Sequence, residues 1–179
     1  MVDGAMNTQS KSELRQLLRK QRAEKYKTHT LLHISQIPQV EKAQTIASYF
    51  SYGDEPDTHA LNQHLISLGK SLLLPRINGE SLEWVQWDGS NEQISSQSLI
   101  PEPIGEAITD TNAIEVVLVP ALAMDPTGYR LGQGKGFYDR ALKGLSAFTI
   151  GIIFPHELMS EPLPKDSWDV PVNLVEITR

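Results

Sequence analysis

The sequence predicts an α/β fold in which a largely parallel β-sheet is packed between helices. The main observation is that apolar runs suited to strands alternate along the chain with amphipathic stretches suited to helices. Two of these runs, at residues 115–120 and 148–154, are almost wholly apolar, as expected of strands buried on both faces. The length of 179 residues fits one domain of ~100–200 residues.

The first predicted element is a helix over residues 10–26. Ser10 and Glu13 match a capping box, in which each side chain accepts a hydrogen bond from the other residue's backbone N–H. Apolar residues then recur at helical spacing and define one face, formed by Leu14, Leu17 and Leu18. Basic residues cover the rest of the helix, and for most of them we expect a solvated surface. These are Lys11, Arg15, Arg19, Lys20 and Arg22.

Strands and helices follow in alternation. Residues 30–37 predict a helical stretch, and Pro38 suits the first turn of another short helix. A strand over residues 45–52 leads through an acidic turn into a helix that Asp57 or Thr58 would cap and Gly69 would end. Residues 88–112 predict a long loop. The remaining strands are predicted over residues 71–74, 82–87, 115–120, 148–154 and 174–178, and a further helix over residues 137–145.

The composition excludes several classes of protein. With 16 Lys and Arg against 22 Asp and Glu, the net charge is −6, which argues against a nucleic-acid-binding protein. The absence of cysteine excludes disulfides, thiolate nucleophiles and Cys-ligated metals. No apolar run reaches the ~18 residues of a membrane span, and the N-terminus lacks the pattern of a signal peptide. We therefore expect a soluble, cytoplasmic protein with one domain over residues 10–179, after a frayed or expression-derived segment over residues 1–9. We also expect a monomer, although no feature of the composition bears on the oligomeric state.

Residues 125–140 form the segment that points most clearly to chemistry. They follow the most apolar predicted strand and lead into a helix, so they should lie beyond a strand's carboxyl end, where open α/β sheets bind ligands. Alternating glycines let backbone N–H groups approach an anion closely, and the end of the following helix adds positive potential. The glycines are Gly132, Gly134 and Gly136, and the cations around them are Arg130, Lys135 and Arg140. This segment predicts a polyphosphate site.

Two common phosphate-binding templates do not fit the segment. The Walker pattern needs four residues between its first glycine and a Gly-Lys pair followed by Ser or Thr, whereas Lys135 is followed by Gly136. The dinucleotide pattern G-x-G-x-x-G fails because the glycines here read G-x-G-x-G. A polyphosphate site of another kind is therefore expected.

The sequence resembles the 5-formyltetrahydrofolate cyclo-ligase family, also called methenyltetrahydrofolate synthetases. Residues 130–139 match the family's R-L-G-x-G-x-G-[YF]-Y-D segment throughout, with Phe137 at a position that is often tyrosine. Three further elements match in order: K-x-x-L-R at residues 11–15, E-x-x-T at residues 55–58, and a late aspartate at Asp169. The resemblance implies a Rossmann-like, three-layer α/β/α sandwich with a mostly parallel central sheet, of the NagB/RpiA/CoA-transferase-like type.

The resemblance also implies an activity. It is the cyclisation of 5-formyltetrahydrofolate to 5,10-methenyltetrahydrofolate through an imidate phosphate, with ATP as co-substrate, Mg²⁺ as cofactor, and ADP and phosphate as products. The implied ATP-binding residues are Lys11, Arg15, Arg130, Leu131, Gly132, Gln133, Gly134, Lys135, Gly136, Phe137 and Tyr138. The implied substrate-binding residues are Phe50, Glu55, Gln133 and Phe137, and the implied metal ligands are Asp139 and Asp169. The implied catalytic residues are Arg130, Lys135 and Tyr138.

Two other functions remain compatible with the glycine-rich segment. One is a nucleotide-binding module that closes no ring, and the other is an ATP-dependent phosphotransferase that acts on a different small acid. Glu55 discriminates between the cyclo-ligase and a bare nucleotide sensor, because the sensor has no use for a carboxylate that accepts hydrogen bonds from a pterin ring.

Overall fold

The structure is a computed structural model that describes residues 10–24, 29–95, 97 and 99–179. The α-helices in this part of the chain are α1 (Lys11–Glu24), α2 (Pro38–Lys42), α3 (His59–Ser67) and α4 (Phe137–Leu142). The strands are β1 (Thr45–Ala47), β2 (Ser71–Asn78), β3 (Ser81–Trp87), β4 (Ile94–Ser95), β5 (Glu102–Pro103), β6 (Val116–Pro120), β7 (Ala123–Met124), β8 (Arg130–Leu131), β9 (Phe148–Ile153) and β10 (Leu174–Ile177). Short 3₁₀-helices lie at Leu32–Gln36, Asn91–Gln93, Thr111–Ala113 and Pro155–Glu157.

A six-stranded sheet in the order β10-β9-β6-β1-β2-β3 organises the molecule. Five of its strands are parallel, and β3 pairs antiparallel with β2 at one edge. The two strands predicted at residues 71–74 and 82–87 are therefore the halves of one longer hairpin, closed by Gly79 at φ +60°. The prediction of a mostly parallel sheet is confirmed.

Both faces of the sheet are buried. Consecutive residues of a strand point to opposite faces, and both sets of residues pack into apolar clusters. In β6, Val116 and Leu118 join the apolar cluster that includes α3, whereas Val117 and Val119 join the cluster that includes Leu142 of α4. Helices thus cover the two faces of the sheet, and the predicted three-layer α/β fold is confirmed.

Helix α1 packs beside this sandwich, against the β7–β8 pair. Leu14 and Leu18 enter a separate apolar cluster with Leu122, Leu131 and Leu163. At 14 residues α1 is the longest helix described. None of the helices in the described part of the chain is long and apolar enough to cross a membrane.

The predicted capping box at the start of α1 is confirmed. The backbone N–H of Ser10 donates to Glu13 Oε2 at 2.9 Å, and the N–H of Glu13 donates to Ser10 Oγ at 3.3 Å. The last described residue of α1 is Glu24, so positions 25 and 26 of the predicted helix lie outside the described residues, as does the predicted N-terminal segment 1–9.

Two predicted elements are shorter in the structure. Strand β1 ends at Ala47 and not at residue 52. The N–H of Ser48 still donates to Leu73 O of β2, but the carbonyl of Tyr49 accepts from the side chains of Thr58 and Asn62. Helix α4 ends at Leu142, two residues before Gly144, whose φ of +91° is left-handed.

The order of the strands reverses between β1 and β6. From β1 the chain continues to β2 and β3 on one side, and from β6 it continues to β9 and β10 on the other. In open α/β sheets such a reversal leaves a crevice beyond the carboxyl ends of the two strands, where ligands bind. The fold therefore places a binding site after Ala47 and after Pro120.

Candidate active site

A pocket of about 370 Å³ lies at this reversal. Tyr49 and Phe50 reach it from the end of β1, and Pro120 and Ala121 reach it from the end of β6. All fifteen residues for which the sequence predicts a site role line this one pocket. They are Lys11, Arg15, Phe50, Glu55, Arg130, Leu131, Gly132, Gln133, Gly134, Lys135, Gly136, Phe137, Tyr138, Asp139 and Asp169.

The glycine-rich loop between β8 and α4 owes its shape to two of its three glycines. Gly134 and Gly136 have φ of +98° and +68°, in the left-handed region that other residues rarely adopt, whereas Gly132 does not. A Cβ at Gly136 would lie 2.8 Å from Arg140 Nη1, and one at Gly134 would lie 3.3 Å from Arg15 Cζ. Larger residues at these two positions would strain the loop and disturb the arginines packed against it.

Arginines fix the carbonyl groups of this loop. Arg15 Nε donates to Gly132 O at 2.9 Å, and Arg140 Nη2 donates to Lys135 O at 2.9 Å. Arg19 Nη2 donates to the side-chain Oε1 of Gln133 at 2.8 Å. Helix α1 thus holds the loop through two arginines four residues apart, and for Arg19 the sequence had indicated only a charged surface.

The backbone donors of the loop are free. None of the N–H groups of residues 132–136 donates a hydrogen bond to any residue in the described part of the chain. Gln133, Gly134 and Lys135 are exposed, so the donors of this loop are open to solvent and to an acceptor-rich ligand that enters the pocket. The exposed Lys135 side chain likewise forms no ion pair with the described residues. Both features suit a polyphosphate.

Two carboxylates of the pocket are paired with cations. Arg130 Nη2 donates to Asp139 Oδ1 at 2.6 Å, and the N–H of Val170 donates to the same oxygen. Lys11 Nζ donates to Asp169 Oδ2 at 2.7 Å. Partial burial raises the pKa of Asp169, but the hydrogen bonds from Lys11 and from the backbone of Asp166, together with the charges of Lys11 and Arg130, outweigh it, so the pKa of this carboxyl lies below its usual value.

These two carboxylates fit a sparse magnesium site. Mg²⁺ commonly takes one or two carboxylates together with substrate phosphate oxygens and water. Asp139 and Asp169 are hard oxygen donors on two segments of the same pocket. Within residues 10–24, 29–95, 97 and 99–179, no group of three or more His, Asp or Glu side chains could hold a metal by itself. A metal here would therefore depend on oxygens that a ligand supplies.

Glu55 lies at another part of the pocket and is partly buried. Burial raises the pKa of Glu55 to about 7, although the N–H of Tyr52, which donates to Oε2 at 3.3 Å, and the charge of Arg22 both act to lower it. A carboxyl with this pKa and only one weak donor is prepared to accept stronger hydrogen bonds from a ligand.

Buried polar contacts fix the loop that carries Glu55. Thr58 Oγ1 donates to Tyr49 O at 2.7 Å, and Thr58 N donates to Ser51 Oγ at 3.0 Å. Asn62 Nδ2 donates to Tyr49 O at 2.9 Å. Since Thr58 is part of the E-x-x-T element, its hydroxyl accounts for the threonine in that motif: it closes the loop three residues after Glu55.

Two tyrosine hydroxyls in the same region have no hydrogen-bond partner among the described residues. They belong to Tyr49 and Tyr138, which line the pocket and whose hydroxyl oxygens are buried. Burial, reinforced by the nearby charge of Glu55, raises the pKa of both phenols. The sequence pointed to Tyr138 and missed Tyr49, because residue 49 was predicted to lie inside a strand.

Arg22 corrects the prediction for the basic surface of α1. It is buried, and its Nη2 donates to Glu157 Oε2 at 2.8 Å and also to the carbonyl of Ala121. The burial of Arg22 could have been predicted from its spacing, because Arg22 follows Leu14 and Leu18 at four-residue intervals and so lies on their apolar face. The ion pair ties α1 to the 3₁₀-helix after β9, and the bond to Ala121 ties it to the end of β6, where the pocket begins.

Sequence reasoning also missed two residues near Asp169. Asp166 and Trp168 line the pocket, and the Trp168 side chain is 65% exposed. Asp166 could have been considered as a site residue, because it lies only three residues before Asp169. An exposed indole at the rim of a pocket provides a flat apolar surface next to the charged groups.

The fold and the pocket together define an α/β protein with a pocket at the switch point of its sheet, lined by several cationic side chains. The family model of the 5-formyltetrahydrofolate cyclo-ligase family matches residues 7–178. The chain belongs to this family.

Individual proteins agree with this assignment. The chain is 31% identical to the 5-formyltetrahydrofolate cyclo-ligase of Escherichia coli K12, over 77% of this chain and 80% of that protein. It is 29% identical to the one of Haemophilus influenzae, over 93% and 97% of the two chains. The structure of Aquifex aeolicus 5,10-methenyltetrahydrofolate synthetase superposes with a TM-score of 0.79 at 29% identity, covering 94% of this chain and 91% of that one. A 5,10-methenyltetrahydrofolate synthetase from Mycoplasma pneumoniae, at 19% identity and a TM-score of 0.71 over 95% and 99% of the chains, shares the fold.

Proposed function

We propose that this protein catalyses the cyclisation of 5-formyltetrahydrofolate to 5,10-methenyltetrahydrofolate, with ATP and Mg²⁺, and releases ADP and phosphate. The observation that carries the proposal is that Glu55, the candidate for reading the pterin ring, and the glycine-rich loop, the candidate for binding phosphates, line one pocket. Family membership supports it. Because the pocket draws residues from Lys11 to Asp169, residues 10–179 act as one catalytic domain.

The reaction needs ATP because the oxygen of a formamide is a poor leaving group. In the first step the formyl oxygen attacks the γ-phosphorus, an O–P bond forms, and the bond from that phosphorus to the oxygen of ADP breaks. The resulting imidate phosphate has a good leaving group on the formyl carbon. In the second step N10 attacks this carbon, the C–O bond breaks, and the phosphate departs with the proton that N10 loses.

The phosphate end of the pocket supplies what such a transfer requires, namely positioning and neutralisation of charge. The unpaired N–H groups of residues 132–136 donate to phosphate oxygens, while Leu131 and Phe137 flank the loop. Lys11, Arg15 and Lys135 add full positive charges. Tyr138 lies near the charges of both Arg130 and Glu55, so we assign Arg130 and Tyr138 to the place where the transferred phosphoryl group meets the formyl oxygen.

The folate end of the pocket orients the other substrate. The Glu55 carboxylate accepts hydrogen bonds from the amino group and the ring N–H of the pterin, and such charge-assisted bonds are stronger than neutral ones. Phe50, Gln133 and Phe137 contact the folate beside it. The pterin donors favour the charged form of Glu55, so folate binding lowers the pKa that burial has raised.

Asp139 and Asp169 are the residues that would hold Mg²⁺. When bound, the ion neutralises charge on the phosphate oxygens of ATP. A metal ligand at this position must be ionised, and the lowered pKa of Asp169 agrees with that role.

The proposal is tested by mixing the protein with 5-formyltetrahydrofolate, ATP and Mg²⁺ and following the absorbance of the methenyl product. We expect product only when all three are present. Glu55→Gln should abolish most of the signal, and Glu92→Gln, the same change at an exposed position away from the pocket, should not. Absence of product with the wild-type protein would refute the cyclo-ligase activity.

The same experiment distinguishes the cyclo-ligase from the two alternative functions, because neither of them forms the methenyl product. A nucleotide-binding module would bind ATP without forming ADP when folate is added. A phosphotransferase for another small acid would release no phosphate with 5-formyltetrahydrofolate. The burial of Glu55 in the pocket favours the cyclo-ligase, since neither alternative requires a carboxylate there.

A further inference from the structure

The Lys11 ammonium lies between two carboxylates at the phosphate end of the pocket. Its Nζ donates to Asp166 Oδ2 and to Asp169 Oδ2, each at 2.7 Å. Asp166 and Asp169 are also joined directly, because the N–H of Asp166 donates to Asp169 Oδ2 at 2.8 Å. Partial burial lowers the pKa of Lys11, but the two carboxylates raise it by more, so the ammonium is charged throughout the neutral range.

The second carboxylate proposed as a metal ligand is engaged in the same way. Asp139 accepts from Arg130 Nη2 at 2.6 Å, and the Arg130 side chain is 4% exposed. Each proposed metal ligand is therefore neutralised by a cation that the proposed function assigns to phosphate. A phosphate that draws Lys11 away breaks both of its pairs, and a metal that takes Asp169 Oδ2 displaces Lys11 Nζ from that oxygen.

We propose that Asp166 is a positioning residue that retains Lys11 among the carboxylates until metal and nucleotide arrive together. This inference rests on the proposed function. When both ligands enter, Asp169 releases Lys11 and binds the metal. Lys11 releases the two carboxylates and binds a phosphate, so that every charged group again has a partner. A ligand that arrives alone releases one member of a pair and leaves the other uncompensated, which is unfavourable in a partly buried site.

The exchange is a coupling between two ligands, and such coupling is reciprocal. Asp166 weakens the binding of metal-free ATP in two ways. Lys11 must break its ion pair with Asp166 before it can bind a phosphate, and the negative charge of Asp166 repels the phosphates of ATP. A purely structural role is a poor explanation, because Asp166 is 45% exposed and exposed ion pairs add little to the stability of a fold.

Calorimetry of nucleotide binding tests the inference. ATP is titrated into the wild-type protein, Asp166→Asn and Asp110→Asn, first with EDTA and then with saturating Mg²⁺. Asp110 is an exposed residue outside the pocket, and asparagine can replace it in capping its 3₁₀-helix, so this control matches the chemical change. For the wild type we expect metal-free ATP to bind about 5- to 150-fold more weakly than ATP with Mg²⁺, the usual range of such couplings.

Asp166→Asn should narrow this ratio by tightening the binding of metal-free ATP, by roughly 2- to 5-fold if the lost pair resembles other exposed pairs. The control should keep the wild-type ratio. An unchanged ratio in Asp166→Asn, or weaker binding of metal-free ATP, would overturn the inference. Failure of the wild type to bind ATP with Mg²⁺ would instead overturn the proposed function.

A second variant tests the exchange from the side of the metal. In Lys11→Met the carboxylate of Asp169 loses its cation, so Mg²⁺ alone, titrated without nucleotide, should bind more tightly than it does to the wild type. Circular dichroism confirms that each variant is folded. Equal or weaker binding of Mg²⁺ to Lys11→Met would contradict the exchange, whatever the result for Asp166→Asn.

Discussion

Replacing Glu55 with glutamine should make the protein more stable and less active at the same time. Burial raises the pKa of Glu55 from 4.5 to about 7, so the folded protein retains a proton that the unfolded chain releases. Each pKa unit corresponds to about 1.4 kcal/mol, and ionising Glu55 in the folded protein at pH 8 therefore costs about 3 kcal/mol. Glutamine has nearly the same shape and no charge, so Glu55→Gln removes this cost.

The sign of the effect fixes its pH dependence. A group whose pKa is raised on folding contributes stability below its unfolded pKa, and this contribution is lost as pH rises towards the folded pKa. Below pH 4.5 the wild type and Glu55→Gln should therefore be nearly equal in stability, with a difference under ~1 kcal/mol at pH 5. At pH 8 the variant should be more stable by about 3 kcal/mol, which for a chain of this size raises the Tm by about 2–4 °C for each kcal/mol.

Urea unfolding at pH 5 and at pH 8 measures this difference. Glu92→Gln, which removes an exposed charge, should show the same stability as the wild type at both pH values. If the advantage of Glu55→Gln were the same at pH 5 and pH 8, the assignment of a raised pKa to Glu55 would be wrong.

The activity of the same variant supplies the functional half of the prediction. Glutamine presents a donor to the donor edge of the pterin, so kcat/KM for 5-formyltetrahydrofolate should fall steeply while the Kd for ATP with Mg²⁺ stays close to that of the wild type. In the wild type, kcat/KM for folate should decrease below pH ~7 as Glu55 gains a proton. A variant that bound folate normally and lost ATP would reverse the assignment of the two ends of the pocket.

Three further predictions concern the phosphate end. Asp139→Asn should raise the Mg²⁺ concentration needed for half-maximal turnover, and an unchanged requirement would dismiss Asp139 as a ligand. Lys135→Ala should lower turnover by ~10²–10³ without changing the Tm, because the Lys135 side chain is exposed. Arg130 is less suitable for this test, because it is bonded to Asp139. Full activity of Lys135→Ala would show that Lys135 has no part in the mechanism. Adding ATP with Mg²⁺ should alter the tryptophan fluorescence of the wild type and not of Trp168→Phe, because the other two tryptophans are buried; an equal response in the variant would show that Trp168 does not sense the nucleotide.

The fold could be predicted from the sequence because its determinants are local. Runs such as residues 115–120 are apolar on both strand faces, and such strands, alternating with helices, require a covered parallel sheet. The predicted end of β1 was less accurate. There the carbonyl of Tyr49 bonds to the side chains of Thr58 and Asn62 and not to a neighbouring strand, and a pattern of apolar residues gives no information about such bonds.

The glycine-rich segment could be predicted from its residues, because it follows a strand of the sheet, whereas most other members of the candidate site were implied by the resemblance to the cyclo-ligase family. What the sequence did not show is how they are paired. The bond from Lys11 to Asp169 joins residues 158 positions apart, and the bond from Arg22 to Glu157 joins residues 135 positions apart. Such contacts depend on how α1 packs against the sheet, which single-sequence patterns do not specify.

The central claim is that the site activates the formyl group by turning its oxygen into a phosphate oxygen. The most direct test uses 5-formyltetrahydrofolate labelled with ¹⁸O in the formyl group, together with unlabelled ATP and Mg²⁺, and measures the released inorganic phosphate by the isotope shift of its ³¹P resonance. The account predicts that each phosphate released carries one ¹⁸O atom from the formyl group. Methenyl product accompanied by unlabelled phosphate would contradict it, because the formyl oxygen would then have left without ever being bonded to phosphorus.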